Sequence, residues 1–321
     1  MISFIKGDCL MYANTNLQTA KDDKFDEFYT CRNDIIAEVQ HYEKLLKDKI
    51  IYMPCDNPNI SQFWQYFLDN FERLQLKGIV STYYKQGDQT VCSRYFGWIR
   101  PNKRQVISKE LLRGNGDFQS EECTDILNSC DIVITNPPFS LFRKFVQWVI
   151  SVKKDFLILG NMNNITYKDI FPYIQEQRIK IGVNSGSMKF TVPDGFKRNN
   201  VTVKDGISYA NFGNICWYTT LQLDIEKPFI SLTATYKDHE TEYPFYDNFD
   251  AIDVNKVSKI PKDYDKPMGV PVTLLKFWNP KQFKILGNIG SYGVDGYSLS
   301  PAVYINGKKV FKRILIQKEG V

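Results

Sequence analysis

Four consecutive residues, Asn136-Pro137-Pro138-Phe139, carry groups that could do chemistry on a flat amine. The amide oxygen of Asn136 and the carbonyl oxygen of Pro137 can both accept hydrogen bonds from one amino group, and neither proline has an N–H that competes. Phe139 offers an apolar ring to a planar partner. When the nitrogen of an aromatic amino group attacks, it becomes tetrahedral and positively charged. Two acceptors bound to its N–H groups would favour this geometry and stabilise the charge. The quartet therefore suits alkylation of an arylamine by an activated electrophile such as a methyl sulfonium, mainly through positioning.

The residues around the quartet predict a strand, a loop and a helix. The apolar run "DIVIT" (131–135) precedes it, and "SLFRKFVQWVI" (140–150) follows with helical spacing of its apolar residues. Because ligands of open α/β sheets bind at the carboxyl ends of the strands, the quartet is expected in such a crevice.

The rest of the first half alternates in the same manner. Apolar strands are predicted at 49–55, 78–84 and 155–160, and amphipathic helices at 33–48 and 62–71, the latter capped by Ser61. Strands that are apolar throughout indicate a parallel sheet covered on both faces, so the predicted class is α/β.

The character of the sequence changes after about residue 184. The β-rich stretch around Phe212-Gly213-Asn214 predicts a hairpin that closes the sheet. Beyond Lys227 the chain carries more Pro, Tyr, Asp and Lys, which indicates a smaller C-terminal domain. We therefore divide the chain into residues 1–227 and 228–321.

The net charge of +5 is unevenly placed. Residues 256–321 hold 12 Lys/Arg against 4 Asp/Glu, and "SRYFGWIRPNKRQ" (93–105) interleaves basic with aromatic residues. Such patterns suit nucleic acid, although they are equally typical of the solvated surface of a basic protein.

The composition argues against histidine-based catalysis, a disulfide-rich fold and a membrane or secreted location. With only His41 and His239, the chain is a poor candidate for histidine-based catalysis, and the seven irregularly spaced cysteines do not resemble a disulfide framework. The sequence lacks a long apolar run and a signal-peptide pattern at its start, so a cytoplasmic location is expected.

The motifs together resemble those of EcoRI-type adenine-specific DNA methyltransferases. The matching stretches, which cover roughly residues 20–290, are "KFDEFYT" (24–30), "YMPCDNPNISQFWQYFLDNF" (52–71), "GNGDFQSEEC" (114–123), "TNPPF" (135–139), "NNITYKDIFPYI" (163–174) and "KPMGVPVTLLKFWNPKQFKILG" (266–287). The resemblance implies a Rossmann-like S-adenosylmethionine-dependent methyltransferase sheet followed by a smaller C-terminal domain.

The resemblance also implies roles for individual residues. Asn136, Pro137, Pro138 and Phe139 would be catalytic, and the cofactor-binding residues would be Glu27, Phe28, Tyr29, Thr30, Asp56, Asn57, Pro58, Asp117, Phe118 and Asn136. Two departures from the general methyltransferase pattern stand out. The turn after the first strand has no glycine, and "GIVSTYYK" (78–85) has no acid that could bind the cofactor's ribose. Asp56 has an alternative role, which is to form an Asx turn before the following helix.

The implied reaction is transfer of a methyl group from S-adenosylmethionine to N6 of a flipped adenine in double-stranded DNA. Direct attack needs neither a metal nor a covalent enzyme intermediate. Phosphate contacts are expected from some of the C-terminal cations, namely Lys256, Lys259, Lys276, Lys281, Lys284, Lys308, Lys309, Lys312 and Arg313. Trp217 is expected to pack in the core.

Several alternatives remain open at this point. Similar quartets also serve methylation of cytosine N4, of RNA bases and of protein glutamine, and a non-catalytic nucleic-acid-binding module could use the same scaffold. The resemblance leaves room for a separate cognate restriction endonuclease and leaves the oligomeric state open.

Overall fold

A ten-stranded sheet dominates the computed structural model, which describes residues 29–96, 107–192, 196, 201–223, 227–289 and 302–319. Its strands are β1 (Tyr29–Thr30), β2 (Ile50–Met53), β3 (Gly78–Ser81), β4 (Val91–Phe96), β5 (Ser108–Leu111), β6 (Ile132–Thr135), β7 (Asp155–Asn161), β8 (Lys180–Thr191), β9 (Val201–Lys204) and β10 (Ile207–Thr219). They lie in the order β1-β8-β10-β7-β6-β2-β3-β4-β5, and β9 pairs with β10.

The centre of this sheet is parallel, because its strands are apolar and buried on both faces. Strands β3, β2, β6 and β7 pair in parallel, with Ile51 opposite Ile132 and Val133 opposite Phe156. Strand β10 is antiparallel to both β7 and β8, so β8 runs in the same direction as the central strands. The α/β prediction is confirmed, and β4 and β5 add an antiparallel edge.

Helices cover the sheet close to the predicted positions. They are α1 (Arg32–Val39), α2 (Glu43–Leu46), α3 (Gln62–Asp69), α4 (Glu121–Asn128), α5 (Phe142–Ser151) and α6 (Phe171–Gln175), with short 3-10 helices at Phe139–Leu141, Met162–Thr166, Glu240–Glu242, Val257–Lys259 and Val272–Lys276. Ser61 caps α3 as predicted, since its hydroxyl accepts from the N–H groups of Phe63 and Trp64. None of the described helices is long and apolar enough to cross a membrane.

The helix predicted at 33–48 is two helices. The break lies before Tyr42, which is fully buried and donates its hydroxyl to Glu38 at 2.9 Å. The spacing of apolar residues along the sequence could not reveal this break, because the burial of Tyr42 depends on its contacts in the folded protein.

The hairpin predicted around Phe212-Gly213-Asn214 is wrong. Strand β10 continues through these residues, and its pairing with β8 shifts between Phe212 and Ile215, which is a bulge. Gly213 and Asn214 supply the bulge, with Asn214 at a φ of 57°, while β7 and β8 hold the strand on both sides. A tight hairpin lies earlier, where Asp205 and Gly206 link β9 to β10 with φ of 52° and 75°.

A second sheet of five strands follows in the chain. It contains β11 (Phe245–Tyr246), β12 (Phe249–Asp253), β13 (Met268–Val270), β14 (Phe283–Ile289) and β17 (Arg313–Lys318), in the order β11-β12-β13-β17-β14; β15 (Tyr304–Ile305) and β16 (Lys308–Lys309) form a separate hairpin. One hydrophobic cluster includes Cys216 of the large sheet and Ile252 and Met268 of the smaller one, so the two sheets share a core.

Candidate active site

The candidate active site lies at the carboxyl ends of β2, β3 and β6. The chain passes from β2 outward to β3, and β6 then pairs with the other side of β2, so the sheet has a topological switch point between β2 and β6. Such a point opens a crevice at the carboxyl edge. Asn136 follows the last residue of β6 directly, which places the quartet at this edge.

Asp56 ties the three strand ends together. Its side chain is only 5% exposed, and its two carboxylate oxygens accept hydrogen bonds from the hydroxyls of Ser61 and Thr135, each at 2.5 Å. Ser81 donates its hydroxyl to the backbone carbonyl of Asp56, and the Asp56 N–H donates to the carbonyl of Thr82 at 3.0 Å. Both carboxylate oxygens are therefore engaged inside the protein.

Asn57 and Pro58 form the turn that leads into α3. The Asn57 side-chain oxygen accepts from the N–H of Asn59 at 3.1 Å, and its carbonyl accepts from Ile60 and Ser61 at 3.1 and 2.8 Å. This is an Asx turn, and neither residue lines the pocket described below.

The quartet itself is held rigidly. Pro137 is buried, and Asn136, Pro138 and Phe139 are half-buried. The carbonyl of Pro138 accepts from the N–H of Leu141 at 3.0 Å, which begins the 3-10 turn before α5. The quartet supplies acceptors and a ring on a fixed backbone, without an acid, a base or a thiol.

Strand β1 comes to the same edge from the other side. Tyr29 and Thr30 pair with Thr191 and Phe190, the last two residues of β8. The ring of Phe190 also contacts that of Phe139 edge to face, with centroids 6.0 Å apart. The structure thus brings Thr30 and Phe139 to one neighbourhood, whereas Glu27 and Phe28 lie outside the described residues.

A pocket of about 300 Å³ opens beside the quartet. It is lined by Pro54, Cys55, Tyr84, Gly116, Asp117, Phe118, Pro138 and Leu141. Gly116 has a φ of 78°, and a Cβ there would lie 2.0 Å from the Tyr83 carbonyl oxygen, so the turn requires glycine. Pro138 belongs to both the quartet and the pocket wall, which makes the two parts one continuous site.

Asp117 and Phe118 give this pocket a polar and an apolar side. Phe118 is buried, with its ring centroid 5.1 Å from that of Phe145 and 5.3 Å from that of Trp148. Asp117 is exposed, and one of its carboxylate oxygens accepts from the N–H of Gln119 at 2.9 Å. A fixed aromatic face beside a carboxylate suits a planar ring that bears an amino group.

Burial keeps the Tyr52 hydroxyl and the Cys123 thiol uncharged. The Tyr52 hydroxyl lies 2.8 Å from that of Thr82, and burial raises the pKa of Tyr52 well above its usual value. Burial likewise raises the pKa of the Cys123 thiol. The described residues contain no cluster of His, Cys, Asp and Glu able to hold a metal ion. The site therefore offers hydrogen-bond acceptors and aromatic rings that can position a substrate.

Sequence reasoning missed several members of the site. Cys55, Tyr84 and Leu141 line the pocket, and Thr135 bonds to Asp56. Thr135 stands directly before the quartet and Tyr84 follows β3 at the same edge, so their positions at strand ends were available signals. Trp217 is fully buried against Phe63, which confirms the expectation of core packing.

The fold is that of a methyltransferase of the α/β class. A family model described as "Adenine-specific methyltransferase EcoRI" matches residues 16–319. The chain belongs to this EcoRI family of adenine-specific methyltransferases, and it is a DNA adenine methyltransferase. Such an enzyme requires a methyl donor, and the family does not favour the alternatives of methylation at cytosine N4, RNA or protein glutamine, or of a non-catalytic nucleic-acid-binding module.

Three named relatives are similar over nearly their whole length. The type II methyltransferase M.EcoRI of Escherichia coli is 38% identical over 95% of this chain and 97% of its own. The type II methyltransferases M.MgeORF184P of Mycoplasma genitalium and M.MpnI of Mycoplasma pneumoniae are each 34% identical, over 94% and 93% of this chain and 98% and 97% of their own. No solved structure matches the chain.

Proposed function

We propose that the chain transfers a methyl group from S-adenosylmethionine to the N6 amino group of an adenine in double-stranded DNA. The observation that carries this proposal is the place of Pro138, which is both part of the acceptor quartet and a wall of the 300 Å³ pocket. A donor in the pocket and an amino group at the quartet would therefore be neighbours.

The pocket residues fit the adenosine part of this cofactor. Phe118 offers an immobile ring face, Asp117 a carboxylate that can accept from an exocyclic amino group, and Gly116 a turn that only glycine can make. Tyr29 and Thr30, with Glu27 and Phe28 before them in the chain, would serve the methionine end. Asp56 would act indirectly, by fixing the ends of β2 and β6.

When bound, the cofactor would supply an electrophilic methyl group on a sulfonium. The Asn136 amide oxygen and the Pro137 carbonyl oxygen accept the two N–H bonds of the target amino group. While the nitrogen takes the methyl group from the sulfonium, positive charge would develop on nitrogen, and the two oxygens would stabilise it. The methylated amino group then releases one proton to solvent.

The target adenine must leave the base stack to reach this position. Asn136 is half-buried at the sheet edge, and a base inside a duplex cannot present its amino group there. Phe139, braced by Phe190, would contact the flipped base.

We assign residues 1–227 to the catalytic, cofactor-binding domain and 228–321 to target recognition. Not every C-terminal cation is available for phosphate: Arg313 pairs with Asp253 at 2.9 Å in a largely buried contact, and Lys259 pairs with Glu242 at 3.2 Å. The segment 97–106, with Arg100, Lys103 and Arg104, lies outside the described residues.

The six cysteines that the structure describes are free thiols, which fits a cytoplasmic location. The type II designation of the relatives fits a separate cognate restriction endonuclease.

The test is methyl transfer from labelled S-adenosylmethionine to genomic DNA, followed by nucleoside analysis. We expect label in N6-methyladenine, reduced at least about 100-fold in Asn136→Ala because a transition-state acceptor is lost, with cofactor binding retained. Asn128→Ala, an exposed asparagine at the end of α4, is the matched control and should keep full activity. Label in another base, or full activity of Asn136→Ala, would contradict the proposal.

A further inference from the structure

The β15–β16 hairpin presents two lysines on an unusually firm support. Asn306 and Gly307 form its turn with φ of 50° and 70°, the signature of a type I′ hairpin. The Asp247 carboxylate accepts the N–H groups of both turn residues, at 3.0 and 2.7 Å. Lys308 and Lys309, which follow the turn, are both exposed. As neighbours on a strand they project from opposite faces of the hairpin, so together they can contact phosphates on both sides of it.

The base of the hairpin is also fixed. Asn248 accepts the N–H of Tyr304 at 3.2 Å and donates to the carbonyl of Ala302 at 3.0 Å. Val303 is 1% exposed and belongs to a small hydrophobic cluster with Tyr246, Ala251, Ile289 and Leu315. The two ammonium groups are thus carried by an ordered backbone, which lowers the entropy lost when they bind a fixed array of charges.

This hairpin belongs to the end of the second sheet that faces the active-site edge. Strands β14 and β17 lead into it through Ile289 and Arg313. At that end Asn288 donates to the carbonyl of Thr166 at 3.2 Å, and Lys312 donates to the hydroxyl of Thr166 at 3.0 Å. Thr166 ends the 3-10 helix that directly follows the carboxyl end of β7, the neighbour of β6 and its quartet.

Two other exposed lysines, Lys281 and Lys284, lie at the opposite end of the same sheet. Lys284 pairs with Gln317 at the beginning of β14, five residues before Ile289. Five residues of strand span about 17 Å. The same domain therefore presents a lysine pair at each end. Among the described residues, Thr166 is contacted only from the end that carries the hairpin.

We propose that the DNA duplex lies across the hairpin end, with Lys308 and Lys309 bound to backbone phosphates, while Lys281 and Lys284 stay in solvent. This rests on the proposed function, because a flipped adenine at Asn136 requires the duplex to lie over the carboxyl edge of the large sheet. Tyr304, the cross-strand partner of Lys309, is 38% exposed and adds an aromatic ring beside that lysine. Contacts of this type fix the position of the duplex and do not read its sequence.

The experiment compares two double variants of equal charge. Binding of the full chain to a short labelled duplex is titrated over a range of salt concentrations, for Lys308→Gln/Lys309→Gln and for Lys281→Gln/Lys284→Gln. For the hairpin pair we expect roughly tenfold weaker binding and a plot of log affinity against log salt about 2 units less steep, because two phosphate contacts are lost. The loss should be equal for duplexes with and without the target site. The other pair should match the wild type.

A charge-preserving variant guards against a folding artefact. Lys308→Arg/Lys309→Arg should keep the wild-type salt slope, and all variants should share the wild-type melting temperature and cofactor affinity. If both glutamine double variants weakened DNA binding equally, or if Lys308→Gln/Lys309→Gln left the salt slope unchanged, the hairpin would not be the DNA-binding surface. The proposed function would still stand. A wild-type chain that neither binds nor methylates the duplex would overturn both.

Discussion

Two buried carboxylates, Asp56 and Glu38, secure different regions of the molecule. Asp56 stands at the active-site edge and accepts from the hydroxyls of Ser61 and Thr135. Glu38 is fully buried where α1 meets β8, and it accepts from the backbone N–H groups of Val183 and Asn184 at 2.9 and 2.7 Å. A buried carboxylate is tolerated only when such donors replace water.

The difference lies in the partners. Hydroxyls can rotate towards another acceptor, whereas the N–H groups of a strand are fixed in direction. The Asp56 network also includes Thr135, the residue directly before Asn136, whereas the hydrogen bonds of Glu38 go to Tyr42, Val183 and Asn184. We therefore expect Glu38 to govern stability and Asp56 to govern the placement of the quartet.

Glu38→Ala should have the largest effect. It removes the acceptor of the Val183 and Asn184 N–H groups and of the hydroxyl of the fully buried Tyr42, and the free energy of unfolding should fall by about 4 kcal/mol, measured by urea unfolding. Activity per folded molecule should not change. Glu43→Ala is the control, because Glu43 makes a partly exposed ion pair with Arg73 and its loss should cost less than about 1 kcal/mol. Equal losses in the two variants would show that Glu38 contributes no more to stability than a partly exposed ion pair does.

Lys227 adds a pH dependence to the Glu38 region. Its ammonium donates to the Leu275 carbonyl at 3.1 Å, and burial lowers the pKa of Lys227 from 10.5 to about 8, although Glu38 opposes the shift. Because the unfolded chain binds this proton more tightly, its contribution to stability is present above pH 10.5 and is lost as the pH falls through 8. Relative to Lys227→Met, the wild type should gain on the order of 3 kcal/mol as the pH rises across this window. If the difference in the free energy of unfolding between the wild type and Lys227→Met did not change with pH, this prediction would be wrong.

Thr135→Val tests whether the Asp56 network positions the quartet. The change keeps the shape of the side chain and removes the hydroxyl that binds Asp56, so the residue before Asn136 loses its tether. We expect kcat to fall about tenfold with little change in the KM for the cofactor, since misplaced groups act mainly on the chemical step. Ser61→Ala removes the other hydroxyl and should cost about 1 kcal/mol of stability as a lost helix cap, with kcat preserved. Identical kinetics for the two variants would disprove a positioning role.

Phe118→Leu should have the smallest effect. It replaces a ring face packed on Phe145 and Trp148 with a smaller apolar side chain. Cofactor affinity should fall about fivefold, near 1 kcal/mol of aromatic contact, while kcat at saturating cofactor stays unchanged. Equilibrium dialysis with labelled cofactor would measure it, and an unchanged affinity would place the cofactor's ring elsewhere.

The central strands and the cap at Ser61 could be predicted because their signals are local. The run "IVIT" is apolar on both faces, and the quartet that follows it marks the end of a strand. The bulge at Gly213 and Asn214 could not be predicted, because the same turn-forming residues suit a hairpin, and only pairing with β7 and β8 keeps the strand going.

The partners of Asp56 and Glu38 could not be predicted for a related reason. Thr135 is 79 residues from Asp56, and Asn184 is 146 residues from Glu38. Local patterns locate a carboxylate on a helix or a turn, whereas the packing of distant elements decides what it binds. The sequence therefore indicates which residues could react, and the structure adds the groups that hold them.

The position of Cys55 in the pocket wall gives the site a chemical reporter. Burial raises the pKa of Cys92 to about 11 and that of Cys130 and Cys216 to about 12, so these thiols stay protonated and slow to react. Cys55 is half-buried at the pocket. Its rate of alkylation, with Cys55→Ser as reference, should fall as the pocket fills, so occupancy could be followed by mass spectrometry without labelled cofactor or DNA.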